Sequence, residues 1–149
     1  MAAYIIYVVR IIGVPTSLSD TYYQLKNIHK PAWLFQAAMI VPAVLLMPVW
    51  IEISDDNIQF LAFLTCGSLM FVGASPLFKS EFEGTIHYVA TTISLISSLS
   101  WLICFNDLWI PAIFWFITAL MLANKQSLLF WIETAMIVSI YFGLFLCFI

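Results

Sequence analysis

Long apolar runs separated by short polar breaks organise this chain from end to end. Six runs stand out, at residues 2–18, 31–51, 58–78, 84–105, 108–123 and 127–149. A helix crossing a hydrocarbon core of roughly 30 Å needs about 20 residues, and most of these runs meet or approach that length. The breaks lie at 19–30, 52–57, 79–83, 106–107 and 124–126. Turns this short join antiparallel neighbours. The pattern predicts an all-α fold: a polytopic transmembrane up-down helical bundle of about six spans, in a single domain covering residues 1–149. The first run is short and carries Arg10 and Pro15, and the count falls to five if it does not cross. Pro31 opens the second run where a missing N–H costs little, while Pro42 and Pro48 should bend its second half.

Composition agrees with the pattern and narrows it. Hydrophobic residues make up 64% of the chain and charged residues 9%, which leaves almost nothing for a soluble domain. Any site must therefore be built from helix walls and short breaks. Breaks one, three and five hold Lys26, Lys30, Lys79 and Lys125, whereas breaks two and four hold Glu52, Asp55, Asp56 and Asp107 with no basic residue. Basic residues collect on the cytoplasmic side, so the lysine-bearing breaks are expected there, with both termini outside if six segments cross. The net charge of −3 gives no reason to expect nucleic acid as a partner. Met1-Ala2-Ala3-Tyr4 lacks a basic leader region, so the first apolar run is expected to be retained. Cys66, Cys104 and Cys147 have neither CxxC nor metal-knuckle spacing and read as small apolar packing residues.

Two charges sit deep within apolar runs. Arg10 lies roughly 15 Å along its helix from Asp20, and Glu133 roughly 12 Å beyond Lys125. Alone at the bilayer centre each would cost on the order of 2.5–3.5 kcal/mol. Mutual neutralisation is the cheapest solution, so Arg10 and Glu133 are expected to form a buried ion pair between the first and last segments. The alternative is an Arg10 that snorkels to the interface and a Glu133 that is protonated or reaches water. Trp33, Trp50, Trp101 and Trp109 lie near predicted helix ends, as an interfacial belt would, whereas Trp115 and Trp131 read as core.

The lysine-bearing end is the richer in chemistry. Break one contains Ser17, Ser19, Asp20, Thr21 and Tyr23, and break three leads through Glu83 and Gly84 to His87. Glu83 and His87 stand one helical turn apart and can share a face. A polar stripe continues from His87 through Thr91, Ser94 and Ser98, at offsets of four, seven and eleven residues. That stripe is expected to face the bundle, either as close-packing hydroxyls or as the lining of a polar cavity or path. The residues available to a metal at this end are His29, His87, Asp20, Glu81 and Glu83, without HExxH or another spaced signature, so no metal and no cofactor is expected. Ser17, Ser19 and Asp20 could approach His87, but GxSxG and SxxK are absent and the signal for a nucleophilic serine is weak.

Two stretches carry a family resemblance. Pro15-Thr16-Ser17-Leu18-Ser19-Asp20-Thr21, followed by Trp33-Leu34-Phe35-Gln36, resembles the "SDTG…F" signature that follows the first span of DRAM-like and Frag-type six-span membrane proteins. Gly84-Thr85-Ile86-His87-Tyr88-Val89-Ala90 is similar to the "H-x-x-x-A" start of their fourth span, and to the "G-x-x-H" of a bacterial six-span family of unknown function. Tyr22 stands where that signature has glycine, and the lysine distribution places Asp20 on the cytoplasmic face where the family's loop is exoplasmic. The resemblance implies a six-span bundle concerned with membrane lipids or membrane organisation, with Asp20 and His87 as the residues carried over.

Three functions compete. The first is a non-enzymatic protein of the plasma (inner) membrane of a bacterium that binds a lipid or small amphiphile at a polar mouth of Ser19, Asp20, Tyr23, Glu83 and His87. The second is a membrane-embedded hydrolase using Asp20, His87 and Glu83. The third is a channel, transporter or accessory subunit lined by Arg10, Glu133 and the Thr91–Ser98 stripe. Membrane lipid is the expected partner, with a further copy of the chain or another membrane protein as additional candidates.

Overall fold

The computed structural model describes residues 1–77, 80–105, 109–122 and 127–147. Every regular element among them is helical: α1 (Ala2–Ile12), α2 (Asp20–Asn27), α3 (Trp33–Ile53), α4 (Gln59–Ala74) with a 3-10 turn at Ser75–Leu77, α5 (Ser80–Cys104), α6 (Trp109–Leu122) and α7 (Leu128–Leu146). Four stretches are long and apolar enough to cross a membrane: Trp33–Ile53, Gln59–Leu77, Gly84–Cys104 and Leu128–Leu146. The protein is a helical bundle in which α3 packs on α4, α4 on α5 and α6 on α7, while α5 also meets α6 and α7. Pro42 and Pro48 lie inside a helix that runs unbroken past both.

The first apolar run ends sooner than its hydropathy predicts. Helix α1 covers 11 residues, about 16 Å, which is half a hydrocarbon core. It stops because Gly13 adopts φ 78°, in the left-handed region that favours glycine, and Pro15 follows two residues later. Residues 13–19 then lie against the start of α7. The Phe130 N–H, in the first helical turn where no intrahelical acceptor exists, donates to the Thr16 carbonyl at 3.1 Å.

Break one is itself partly helical. Helix α2 buries Thr21 and Leu25, which stand one turn apart, and exposes Lys26 and Asn27. The Tyr4 hydroxyl donates to Thr21 Oγ1, which in turn donates to the Leu18 carbonyl, so α1 anchors the underside of α2. The helix ends in a Schellman arrangement: the His29 N–H reaches the Lys26 carbonyl and the Lys30 N–H the Leu25 carbonyl, with His29 at φ 55°. Pro31 then prevents continuation.

Two of the tryptophans assigned to an interfacial belt are core residues instead. Trp50 is 1% exposed and Trp101 is fully buried, and their rings meet edge to face at 5.1 Å. Phe105 stacks on Trp101 at 4.9 Å. Trp101 Nε1 donates to Ser54 Oγ at 2.8 Å, and Ser54 Oγ donates to the Trp50 carbonyl at 2.6 Å. This corner closes one end of the bundle, where Glu52, Asp55 and Asp56 are exposed. Trp33 is exposed as a belt residue would be, Trp115 is buried, and the Trp109 side chain lies outside the described residues.

Helices α3 and α4 approach closely at Gly73. A Cβ there would lie 2.8 Å from Ile40 Cγ1 and 2.9 Å from Met39 Cβ. Only a residue without a side chain permits that separation. Two residues on, Ser75 meets α5.

Candidate functional site: a polar mouth at one end of the bundle

At the end opposite the tryptophan corner, the 17–23 segment, the 75–76 turn and the first turns of α5 enclose a cavity of about 390 Å³. Its polar lining comes from Ser17, Ser19, Asp20, Tyr23, Ser75 and His87, with Tyr88 at the rim. Four residues predicted for a polar mouth, Ser19, Asp20, Tyr23 and His87, therefore share one cavity. The fifth, Glu83, has a side chain outside the described residues, as has Glu81, and Lys79 and Lys125 lie outside them altogether.

Local hydrogen bonds hold the lining in place. Ser17 Oγ accepts the Asp20 N–H at 3.1 Å, one of the donors that a helix start leaves without an intrahelical partner. Ser17 and Ser19 hydroxyls share a hydrogen bond at 3.0 Å. The Asp20 carboxylate accepts at Oδ2 from both Thr16 Oγ1, at 2.8 Å, and Gln24 Nε2. Its donors are neutral, so the carboxylate is oriented without being neutralised.

On the opposite wall, Ser75 Oγ donates to the Val72 carbonyl at 2.9 Å and lies 3.2 Å from His87 Nδ1. A hydroxyl carries one hydrogen. With that hydrogen on Val72, Ser75 accepts from Nδ1–H of His87, which sets the ring's tautomer and orientation. This polarity is the reverse of a serine whose proton is withdrawn by histidine. The pair is built to position a ring.

No protein-family model, no curated protein and no solved structure matches the chain. The site must be read from its own geometry.

Arg10 and Glu133 do not pair. Arg10 is exposed near the end of α1, while Glu133 is 7% exposed in the bundle. The Glu133 carboxylate accepts instead from the Leu18 backbone N–H at 2.7 Å. Because α1 ends at Ile12 and the chain turns along α7, the Leu18 backbone N–H reaches the carboxylate. The first and last segments do meet, but through residues 16–18. The stripe on α5 faces inward: Ser94 and Ser98 are buried and Thr91 is partly so. Ser98 bonds its own helix at the Leu95 carbonyl, whereas Ser97, outside the expected stripe, shares a hydrogen bond of 2.8 Å with Thr65 of α4.

His29 occupies the left-handed stop of α2 and does not line the cavity. Among the described residues no three His, Cys, Asp or Glu side chains gather to hold a metal ion. Ser75 and Tyr88 are the cavity residues that sequence reading passed over. The signal available for Ser75 was Ser75-Pro76 at the end of an apolar run, a pairing that favours a turn. Nothing along the chain announces that its hydroxyl meets His87.

Proposed function

We propose that this integral membrane protein binds the polar head of a lipid or another small amphiphile in the mouth between α2, the 75–76 turn and α5, without transforming it. The observation that carries the reading is the cavity itself. Its volume of about 390 Å³ is that of a small-ligand pocket, and its lining offers hydroxyls, an imidazole and an oriented carboxylate. Among the described lining residues none is lysine or arginine, and Asp20 supplies a carboxylate. That balance favours an amine-bearing or polyhydroxyl head over an anionic one. Exposed apolar side chains such as Leu77 and Val89 flank the same helix ends and suit the acyl part of such a ligand.

The DRAM-like or Frag-type resemblance points the same way, because the residue 15–21 and 84–90 stretches that carry it face each other across this cavity. We place the mouth on the cytoplasmic face of a bacterial plasma membrane, in keeping with Lys26 and Lys30 beside it. Labelling of a cysteine introduced at position 55 or 56 only after permeabilisation would reverse that orientation.

The test is mass spectrometry of lipid retained by the purified protein, compared with Asp20→Asn and His87→Ala. A lipid class held by the wild type and lost from both variants is the expected result. Equal lipid content in all three proteins overturns the reading. Release of a cleaved lipid product by the wild type but not by His87→Ala would replace it with the hydrolase.

A further inference from the structure

Residues 13–19 form no helix, yet two of them, Ser17 and Ser19, supply part of the mouth's wall. Two hydrogen bonds to α7 fix the course of this segment. The Phe130 N–H donates to the Thr16 carbonyl at 3.1 Å, and the Leu18 N–H donates to the Glu133 carboxylate at 2.7 Å. The attachments lie two residues apart in the segment and three apart on α7, on one face of that helix. Two points define a direction as well as a place, so the segment cannot pivot about either bond alone.

Glu133 is the less expected of the two anchors. The Phe130 N–H belongs to a helix start and needs an acceptor from outside the helix in any case, whereas a carboxylate in an apolar membrane helix is costly. Glu133 is the one charged residue of α7 and is 7% exposed. Leucine there would suit an apolar surrounding better, so the carboxylate must return something that packing does not. What it meets is specific. The Leu18 N–H lies between Ser17 and Ser19, whose hydroxyls share a hydrogen bond and border the mouth. Ser17 Oγ also accepts the Asp20 N–H, which ties the start of α2 and its carboxylate to the same segment. At 2.7 Å the Glu133 contact is at the short end of N–H···O distances, and a carboxylate oxygen is a strong acceptor for it. Ser19 borders the Glu133 side chain as well as the mouth, which puts the anchor directly behind the wall it holds.

We propose that Glu133 is a positioning residue of the mouth. It acts through Leu18, holding residues 16–19 along α7 so that Ser17, Ser19 and Asp20 stay opposite Ser75 and His87. The proposal rests on the mouth binding an amphiphile, and it adds a residue that lies outside the cavity lining yet sets the shape of the site.

The test compares Glu133→Leu, Glu133→Gln and Glu133→Asp with the wild type, purified in detergent, by two measurements. Hydrogen–deuterium exchange of the peptide covering residues 14–20 reads the segment, and lipid retained per folded molecule reads the mouth. Glu133→Leu offers no acceptor, so exchange of that peptide should rise about tenfold or more through local opening. Lipid retention should fall by a similar factor. Glutamine keeps both the reach and an acceptor oxygen, so Glu133→Gln should restore both readings. Glu133→Asp, one methylene shorter, should behave like Glu133→Leu despite its carboxylate. Ser139→Ala, at a buried position further along α7, should change neither. If Glu133→Leu does not fold, the glutamine and aspartate variants decide by their difference, and equal behaviour overturns the proposal. Unchanged exchange in Glu133→Leu overturns it, as does faster exchange with retention intact. A Glu133→Gln protein that loses lipid as fully as Glu133→Leu also overturns it, since the charge rather than the anchored segment would then matter. A wild type that retains no lipid fails the amphiphile reading alone, and the exchange rates then decide whether Glu133 holds the segment.

Discussion

Helix α5 carries a nitrogen heterocycle near each end, and each meets the hydroxyl of a serine that follows another helix, Ser54 after α3 and Ser75 after α4. At one end Trp101 Nε1 donates to Ser54 Oγ, which passes its own hydrogen to the Trp50 carbonyl. At the other, His87 Nδ1 meets Ser75 Oγ, which passes its hydrogen to the Val72 carbonyl. The two rings stand fourteen residues apart, or about 21 Å along the helix. Their hydrogen-bond wiring is the same, but their surroundings are not. Trp101 is fully buried, with Trp50 and Phe105 against its faces. His87 is partly exposed and borders a cavity of about 390 Å³. A hydroxyl that fixes a ring is thus a structural device at one end and a means of presenting a polar group at the other. What separates them is open space beside the ring and a ring that can exchange a proton.

If the tryptophan corner is structural, breaking it should be the most costly change in the molecule. Trp101→Ala should destabilise the protein by about 3–5 kcal/mol, the range for removing a large buried aromatic side chain. Trp101→Phe should cost about 1–2 kcal/mol, because most of the buried ring remains while Ser54 loses its donor. Denaturant titration in detergent reads both, and lipid retention per folded molecule should be unchanged. A Trp101→Ala protein that unfolds normally but releases bound lipid would show that the two ends are coupled and would erase the contrast.

Gly73 is the next largest test, since it sets the α3–α4 separation just before Ser75. Gly73→Ala forces a Cβ against Met39 and Ile40, and overpacking of this kind costs about 1–3 kcal/mol. Because Ser75 follows two residues later, the same variant should also weaken lipid retention. Stability loss with intact retention would mean that the mouth tolerates movement of α4.

The helical bundle is legible from apolar run lengths and breaks, and the clustering of polar side chains at one end anticipates that Ser19, Asp20, Tyr23 and His87 line one cavity. The misreadings share a physical cause. Pairing Glu133 with Arg10, or leaving it to a proton or water, omits the backbone as a partner, and it is the Leu18 N–H that the carboxylate meets. Trp50 and Trp101 were assigned to a lipid interface from their positions near helix ends. Burial depends on which neighbour packs there, and Ser54 offers a buried partner for the Trp101 indole. Helix α2 was hidden because its apolar signal reduces to Thr21 and Leu25. Ser75 was invisible for the same reason that Ser97 was: its partner lies on another helix, and pairing across elements leaves no periodicity in the chain.

At the mouth, stability and binding should separate. Ser75→Ala removes the acceptor that orients His87, which should cost no more than about 1 kcal/mol of stability. Loss of ring orientation should nevertheless lower affinity for the retained lipid about tenfold, the equivalent of a single well-placed contact. Displacement by a competing lipid, measured on detergent-purified protein, gives both numbers. Affinity unchanged in Ser75→Ala would demote the Ser75–His87 pair to a packing contact like its counterpart at the other end.

The smallest expected effect has the opposite sign. His29 holds φ 55° to close the Schellman end of α2, a conformation that costs a side-chain-bearing residue on the order of 1–2 kcal/mol and glycine almost nothing. Glycine also gives the unfolded chain more freedom to lose, which offsets part of that gain. His29→Gly should therefore raise stability by a few tenths to about 1 kcal/mol. Since His29 is exposed and lies outside the cavity lining, lipid retention should not change. A loss of retained lipid in His29→Gly would instead make this imidazole part of the mouth, beside that of His87.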